Sequence, residues 1–269
     1  MIRGRFEREG LALSTARSGA GRTMLFQHGL CGDAAQPAEL FPPLADWSCL
    51  TLECRGHGLS EAGPAQRFSI ATFADDVAAL IEAEARPPVV IGGVSMGAAI
   101  ALRLAVTRPD LVSGLVLVRP AWFTELAPAN MLPNALVGEL LRDYGPVEAR
   151  VLFENSSVAA ELAERVPDNI ASLRGFFQRM PIATTSELLI RISSDGPGVD
   201  TDAVASLRVP TLIIAHEQDA IHPLAHAEAL ARTIPSATLV RITPKAVSRE
   251  AYVREARAAL SDFLKETST

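Results

Sequence analysis

Residues 89–107 read VVIGGVSMGAAIALRLAVT and carry the clearest structural signal in the chain. Its first three residues, Val89-Val90-Ile91, predict a buried strand, and the apolar run from Met96 to Thr107 predicts a helix. Between them, residues 93–97 match the pattern G-x-S-x-G, with Ser95 at its centre. A serine on such a sharp turn has a strained backbone, and side chains at either glycine would clash across the turn. The stretch therefore predicts a serine hydroxyl displayed at the end of a buried strand.

Strands and helices alternate on both sides of this stretch. Short alternating segments at the amino end predict a hairpin, and apolar runs bounded by glycine or proline predict further strands. The predicted strands are 2–7, 11–17, 24–27, 48–53, 89–91, 115–118, 209–215 and 238–242, and the predicted helices are 73–84, 96–107, 225–233 and 249–265. Such alternation indicates an α/β fold, with a mostly parallel twisted sheet and helices on both faces.

The alternation breaks between residues 121 and 200. This segment lacks clear buried strands, is rich in leucine, alanine and glutamate, and ends in the loop-like sequence SSDGPG at residues 193–198. We interpret residues 121–200 as a helical cap insertion in a core formed by residues 1–120 and 201–269.

Composition excludes several classes of function. The formal net charge of −6 gives no general attraction to nucleic acid or anionic membranes. The longest apolar stretch, Val89 to Leu102, is too short to span a bilayer. Three cysteines without a CxxC spacing suggest neither a disulfide framework nor a zinc site. The first ten residues are charged and lack an apolar segment, so we expect a cytoplasmic protein. We further expect a monomer or homodimer that acts on a small molecule without a metal or cofactor.

Four motifs, spread over most of the chain, carry a resemblance to a known family. They are His28-Gly29-Leu30, the run RGHGLS at residues 55–60, the G-x-S-x-G turn, and DAIHP at residues 219–223. In order and spacing the chain resembles the α/β-hydrolase fold superfamily. The resemblance implies that Ser95 is a nucleophile or hydrogen-bond donor, and that Asp219 is the acid of a catalytic triad. It also implies an oxyanion hole formed by the backbone N–H groups of Leu30 and Met96.

Two further residues lie next to these motifs. His28 adjoins the oxyanion turn and is predicted either to support that turn or to contact substrate. Trp122 opens the insertion and is predicted either to form a wall of the pocket or to pack in the core.

The histidine that completes the triad is missing from its usual place. In the superfamily it follows the last strand, but residues 243–248 here read TPKAVS, and no histidine occurs after His226. An unassisted serine is a poor nucleophile at neutral pH. The best single candidate for a replacement base is Lys245, if burial keeps its amine neutral. Alternatively, His216 or His222 supplies the base from the Asp219 loop, or Ser95 is not a full triad nucleophile.

Two basic residues suggest the charge of the ligand. Arg119 ends a strand at the carboxyl edge of the sheet, where open α/β sheets bind ligands. Lys245 approaches the same edge from another loop, and both side chains suit a carboxylate or phosphate. Their alternative partners are Glu53, Asp219 or solvent.

We therefore predict an enzyme that acts on a small, anionic ester or lactone. Two alternatives stay open. One is a ligand-binding pseudo-hydrolase, similar to the gibberellin receptors, which keep the serine and lack the histidine. The other is a lyase or decarboxylase that uses the oxyanion hole without acylating the serine.

Overall fold

A computed structural model describes residues 1–267 and shows one eight-stranded sheet. The strands are β1 (Ile2–Arg8), β2 (Leu11–Gly19), β3 (Arg22–Gln27), β4 (Trp47–Leu52), β5 (Val89–Val94), β6 (Val112–Val118), β7 (Thr211–Ala215) and β8 (Ala237–Arg241). Their order across the sheet is β1-β2-β4-β3-β5-β6-β7-β8. β2 pairs antiparallel with β1 and β4, and all other pairings are parallel.

The helices are α1 (Ala35–Leu40), α2 (Ile70–Glu84), α3 (Met96–Thr107), α4 (Leu132–Glu154), α5 (Ser157–Arg165), α6 (Pro167–Phe176), α7 (Ile182–Ser193), α8 (Thr201–Ala205), α9 (Leu224–Thr233) and α10 (Arg249–Glu266). The predicted α/β fold is confirmed. Within residues 1–267, no helix is both long and apolar enough to cross a membrane.

Alternation along the central strands explains why helices cover both faces of the sheet. Leu25 and Ile91 pack into one buried cluster with apolar residues of α2, α3 and α9. Their chain neighbours Met24 and Val90 point the other way, into a second cluster with α1 and α10. Because successive side chains of a strand point to opposite faces, apolar residues at consecutive positions produce two cores.

A group of four helices, α4 to α7, lies between β6 and β7 in the chain and has a small core of its own. α4 is kinked at Gly145, which has a φ of 71° and directly precedes Pro146. Leu30 and Ala220 of the core pack against this group. The cap therefore rests on the two loops that carry the predicted oxyanion turn and the predicted acid. The boundaries 121 and 200 stay a prediction.

Candidate active site

Ser95 lies between β5 and α3 with φ 56° and ψ −112°, a conformation that side chains rarely adopt. The glycines around it are required by space. A Cβ on Gly97 would lie 2.5 Å from the carbonyl oxygen of Gln27, and a Cβ on Gly93 would overlap the backbone of Gly97. The turn can therefore bring α3 against β3 only with glycine at both positions.

The loop that follows β3 lies against Ser95. A Cβ on Gly29 would be 3.3 Å from the Cβ of Ser95, and the Gly29 N–H donates to Oε1 of Gln36 at 2.6 Å. Among residues 1–267, the N–H groups of Leu30 and Met96 donate to no other residue. Two unused backbone donors beside a serine are the elements of an oxyanion hole. The assignment of Leu30 and Met96 to that role stays a prediction.

A cavity of about 230 Å³ adjoins Ser95 and Leu30 at the carboxyl edge of the sheet. Core loops form one side, and helices α4 and α6 of the cap form the other. Its lining is Gly29, Leu30, Cys31, Gly32, Gln36, Val94, Ser95, Arg119, Asn134, Asn169, Ser172, Leu173, Phe176, Ile221, His222 and Lys245.

The carboxylate of Asp219 accepts hydrogen bonds from several directions. Arg119 donates through Nε at 2.9 Å and Nη2 at 2.5 Å to Oδ2. The backbone N–H of His222 donates to Oδ1 at 3.0 Å, and Nδ2 of Asn169 donates to the same oxygen at 2.9 Å. Burial opposes ionisation, but the neighbouring His222 and Arg119 and these hydrogen bonds hold the pKa of Asp219 well below its usual range.

His222 lies three residues after Asp219 and turns its ring towards that carboxylate. Its Nδ1 is 2.9 Å from Oδ2 and 3.0 Å from Oδ1 of Asp219. Its Nε2 is buried and, among the described residues, has no hydrogen-bond partner. Burial lowers the pKa of His222; Asp219 opposes this and Arg119 adds to it, so the pKa stays below 6.5. His222 is therefore a neutral imidazole at neutral pH, and it lines the same cavity as Ser95.

The position of the imidazole proton follows from the neighbours of Nδ1. Arg119 Nη2 lies 3.1 Å from His222 Nδ1, but a guanidinium can only donate. Arg119 therefore favours the tautomer with an unprotonated Nδ1, and Asp219 favours the tautomer with a protonated Nδ1. The ionised carboxylate, with both oxygens within reach of Nδ1, favours a proton on Nδ1 and leaves Nε2 as a proton acceptor.

The other histidine of this loop, His216, has different surroundings. Its Nδ1 donates to the carbonyl of Glu217 at 2.6 Å, its ring packs edge-on against Tyr252, and its Nε2 is 3.8 Å from Asp219 Oδ2. It does not line the cavity. Of the two histidines considered from the sequence, only His222 shares a cavity with Ser95.

The two basic residues are held by acidic partners. The guanidinium of Arg119 is paired with Asp219, one of the alternatives left open by the sequence. Lys245 lies in the cavity wall with its side chain 34% exposed, and its Nζ is 3.6 Å from the carboxylate of Asp168.

His28 and Trp122 lie in structural positions, which was one of the two alternatives that the sequence left open for each residue. His28 is fully buried, with Nδ1 donating to the carbonyl of Gly29 at 2.8 Å and Nε2 accepting from the Cys54 N–H at 3.0 Å. Trp122 packs in the core, and its Nε1 donates to the carbonyl of Asp195 at 2.9 Å. Neither residue lines the cavity, because each side chain satisfies buried backbone groups elsewhere.

The site also contains polar residues that no motif revealed. Asn169 is the clearest, because it is buried in α6 and its side chain bridges Asp219 Oδ1 and the Ala220 N–H. Helical periodicity predicts which residues of a cap face inwards, but not which loop of the core they meet. No signal in the sequence connects Asn169 to Asp219.

A larger groove of about 790 Å³ opens at the opposite edge of the sheet, where the parallel strands begin. Arg17, Arg22 and Arg86 line it, but it contains no nucleophile paired with a histidine and an acid. Among residues 1–267, no three His, Cys, Asp or Glu side chains are grouped so as to hold a metal ion. The smaller cavity at Ser95 is therefore the better candidate site.

A strained serine beside unused backbone donors, with a histidine in the same cavity that contacts a buried aspartate, is typical of serine hydrolases. The chain belongs to the alpha/beta hydrolase fold family, whose family model matches residues 22–245.

Known proteins extend this comparison. A 2-(acetamidomethylene)succinate hydrolase of Mesorhizobium japonicum is 28% identical over 83% of this chain and 79% of its own. A thermophilic esterase of Thermogutta terrifontis, solved with malate bound, is 23% identical with a TM-score of 0.77 over the whole of both chains. An enol-lactonase of Burkholderia xenovorans LB400 is 20% identical with a TM-score of 0.74 over 97% of this chain and 100% of its own. The last two show likeness of fold.

Proposed function

We propose that the protein hydrolyses small anionic esters or lactones, with Ser95 as nucleophile, His222 as base and Asp219 as acid. One observation carries the proposal. His222 is held by Asp219 through Nδ1, has an unpartnered Nε2, and lines the cavity that contains Ser95. The acid and the base would then come from one loop, which accounts for the lack of a histidine in residues 243–248.

In the proposed reaction, Ser95 Oγ attacks the carbonyl carbon of the substrate while its proton passes to Nε2 of His222. The carbonyl electron pair moves to oxygen, and the N–H groups of Leu30 and Met96 stabilise that charge. His222 then gives its proton to the leaving alkoxide and an acyl-serine forms. Water attacks this ester by the same route, with His222 again accepting and returning a proton.

Ser95 and His222 are not hydrogen-bonded to each other in this structure, since Nε2 has no partner among the described residues. Catalytic hydrogen bonds are often long before substrate binds and shorten in the complex. The proposal therefore includes a side-chain rotation that brings Ser95 Oγ and His222 Nε2 together when the cavity is occupied.

The size and charge of the cavity support a small anionic substrate. About 230 Å³ is below the ~300–1,000 Å³ typical of sites for drug-sized ligands. Lys245 supplies a positive charge in the wall, and Asp168, its partner at 3.6 Å, is far enough to be exchanged for a substrate anion. The name of the Mesorhizobium relative specifies a succinate derivative, which is consistent with a carboxylate on the substrate.

The pseudo-hydrolase alternative depended on the missing histidine. His222 weakens that argument because it provides an imidazole from another position. A lyase or decarboxylase would need the oxyanion hole but no acyl-serine, so trapping the acyl-enzyme separates it from a hydrolase.

The test is the pH dependence of kcat/KM for 4-nitrophenyl hydrogen glutarate, with Ser95→Ala as the comparison. With His222 as base, the rate should rise through a pKa below 6.5 and stay level above it. Ser95→Ala should lower kcat/KM about 10³-fold or more. A limb in the alkaline range would assign the base to Lys245, and turnover unchanged in Ser95→Ala would remove Ser95 as nucleophile. Binding of the ester without any turnover would favour a binding protein.

A further inference from the structure

Arg119 contacts two members of the proposed triad. It follows β6 with φ 48°, its side chain is only 11% exposed, and it lines the cavity beside Ser95. Its Nε and Nη2 both donate to Oδ2 of Asp219, and Nη2 lies 3.1 Å from Nδ1 of His222. A permanent cation therefore touches both the proposed acid and the proposed base.

This cation opposes the function of the acid. In a Ser–His–Asp triad the negative charge of the acid stabilises the imidazolium that forms during attack. Arg119 cancels that charge, because an arginine stays protonated in proteins. With Arg119 on Asp219, His222 faces a pair with no net charge, and its ability to hold a proton is reduced.

We propose that Arg119 couples recognition of an anionic substrate to activation of His222. The carboxylate of the substrate binds the guanidinium of Arg119 in place of Asp219. The negative charge of Asp219 then stabilises the imidazolium of His222. The inference rests on the proposed function and deepens it, since the negative charge of the substrate then raises turnover as well as affinity.

The hydrogen bonds of Asp219 allow this exchange. When Arg119 turns towards a substrate, Asp219 keeps the donors of Asn169 and of the His222 backbone, and it keeps the His222 ring. The buried carboxylate is therefore not left unpaired, which would be costly. The ring of Tyr252 lies 6.0 Å from the guanidinium carbon and supports it from α10.

Few other charges act on His222. The groups that face it are Asp219 from its own loop, Arg119 from the end of β6 and His216 from the end of β7. Tyr252 of α10 contacts Arg119 and His216. Lys245 and Asp168 form their own pair in and near the cavity wall. A change in the position of Arg119 is thus the main way to change the charge beside His222.

The experiment compares two esters of equal acyl chain length, 4-nitrophenyl hydrogen glutarate and the neutral 4-nitrophenyl pentanoate, with the wild type and Arg119→Met. The wild type should show a higher kcat on the anionic ester. Arg119→Met should lower kcat on the anionic ester and raise it on the neutral one, so that the preference disappears. For the neutral ester, the acid limb of the pH profile should move to higher pH. Arg119→Lys, which keeps the charge, should retain part of the preference.

The matched control is Arg142→Met, which removes an exposed Arg–Asp pair in the cap and should leave both esters unchanged. Equal fractional losses on both esters, with an unmoved acid limb, would reduce Arg119 to a structural residue and overturn the coupling. That result would leave the proposed function standing, because the function is tested separately by the effects of Ser95→Ala and of replacing His222.

A second measurement covers the case in which Arg119→Met does not fold. In Ser95→Ala with labelled histidine, saturating succinate should raise the pKa of His222 measured by NMR. Saturating butanamide, which is neutral, should not. Binding of succinate without any change in the titration of His222 would overturn the proposal.

Discussion

Ser95 shows how single residues shape this site. Its φ of 56° is stable only because glycine stands at positions 93 and 97, where a Cβ would meet backbone. Gly29 allows the loop after β3 to approach within van der Waals distance of Ser95. Ser95 is thus held by steric exclusion, and His222 lines the same cavity from the loop after β7.

At the same scale, the role of Lys245 can be tested by changing its charge. A charged anchor predicts that Lys245→Met raises KM for 4-nitrophenyl hydrogen glutarate about tenfold, with little effect on the neutral pentanoate ester. Lys245→Arg should keep most of the affinity, because it keeps the positive charge. Steady-state kinetics on both esters at pH 7.5 checks this. Loss of kcat on both esters in Lys245→Arg would instead indicate that the lysine is the base.

At the scale of elements, the start of α6 connects the cap to the catalytic loops. Asp168 lies 3.6 Å from Lys245, and Asn169 bridges Asp219 and Ala220. One helical turn therefore contacts both the loop after β7 and the loop after β8. The cap completes the hydrogen bonds of Asp219 as well as covering the cavity.

Asn169→Ala should weaken this connection. It removes a donor to Asp219 and leaves the Ala220 N–H without a partner, which should cost about 1–3 kcal/mol of unfolding free energy. We also expect kcat to fall more than KM rises, because Asp219 would be less well oriented. Urea unfolding and steady-state kinetics test both effects. Asn155→Ala, in an exposed part of the cap, is the control and should change neither. An Asn169→Ala variant indistinguishable from this control would disprove the connection.

The elements differ in how well the sequence predicts them. β5 and α3 follow directly from an apolar run interrupted by glycines; α3 has its predicted bounds, and β5 begins where predicted but continues to Val94. The short helix α1 was not predicted. It has only six residues, too few to show a helical period, and it contains Pro37, which usually indicates the end of a helix. In the cap, low strand propensity indicated helices, but their ends depend on packing within the cap.

The residues of the site also differ in how well the sequence predicts them. Motifs locate Ser95 and Asp219, because the turn and the loop after β7 have recognisable sequences. They do not distinguish His222 from His216, since that depends on which ring faces the cavity and which packs on Tyr252. They also do not reveal that Arg119 pairs with Asp219, because the two residues are far apart in sequence and meet only through the sheet.

At the scale of the whole molecule, buried histidines make stability depend on pH. Burial lowers the pKa of His28, His57, His216 and His222 below 6.5. Near pH 6 the unfolded chain therefore binds more protons than the folded one, so stability is complete above pH 6.5 and falls as pH decreases below it. Each histidine that stays unprotonated contributes at most about 1.4 kcal/mol per pH unit.

We accordingly expect the urea midpoint to be constant between pH 7.5 and 8.5 and clearly lower at pH 5.5. Below the usual range of carboxyl groups, protonation of Asp219 and Glu53 should add a further loss, because the pKa of each is lowered in the folded state. Equal midpoints at pH 5.5 and 7.5 would show that these histidines are not buried in their neutral form.

The most direct test of the central claim is kcat/KM of His222→Gln for 4-nitrophenyl hydrogen glutarate at pH 7.5, measured beside His216→Gln. If His222 is the base, its replacement should lower kcat/KM by about 10³-fold or more, as loss of a triad member does. His216→Gln, which removes a histidine from the same loop but not from the cavity, should keep most of the activity. Activity of His222→Gln within tenfold of the wild type, in a protein that unfolds at the same urea concentration, would contradict the account.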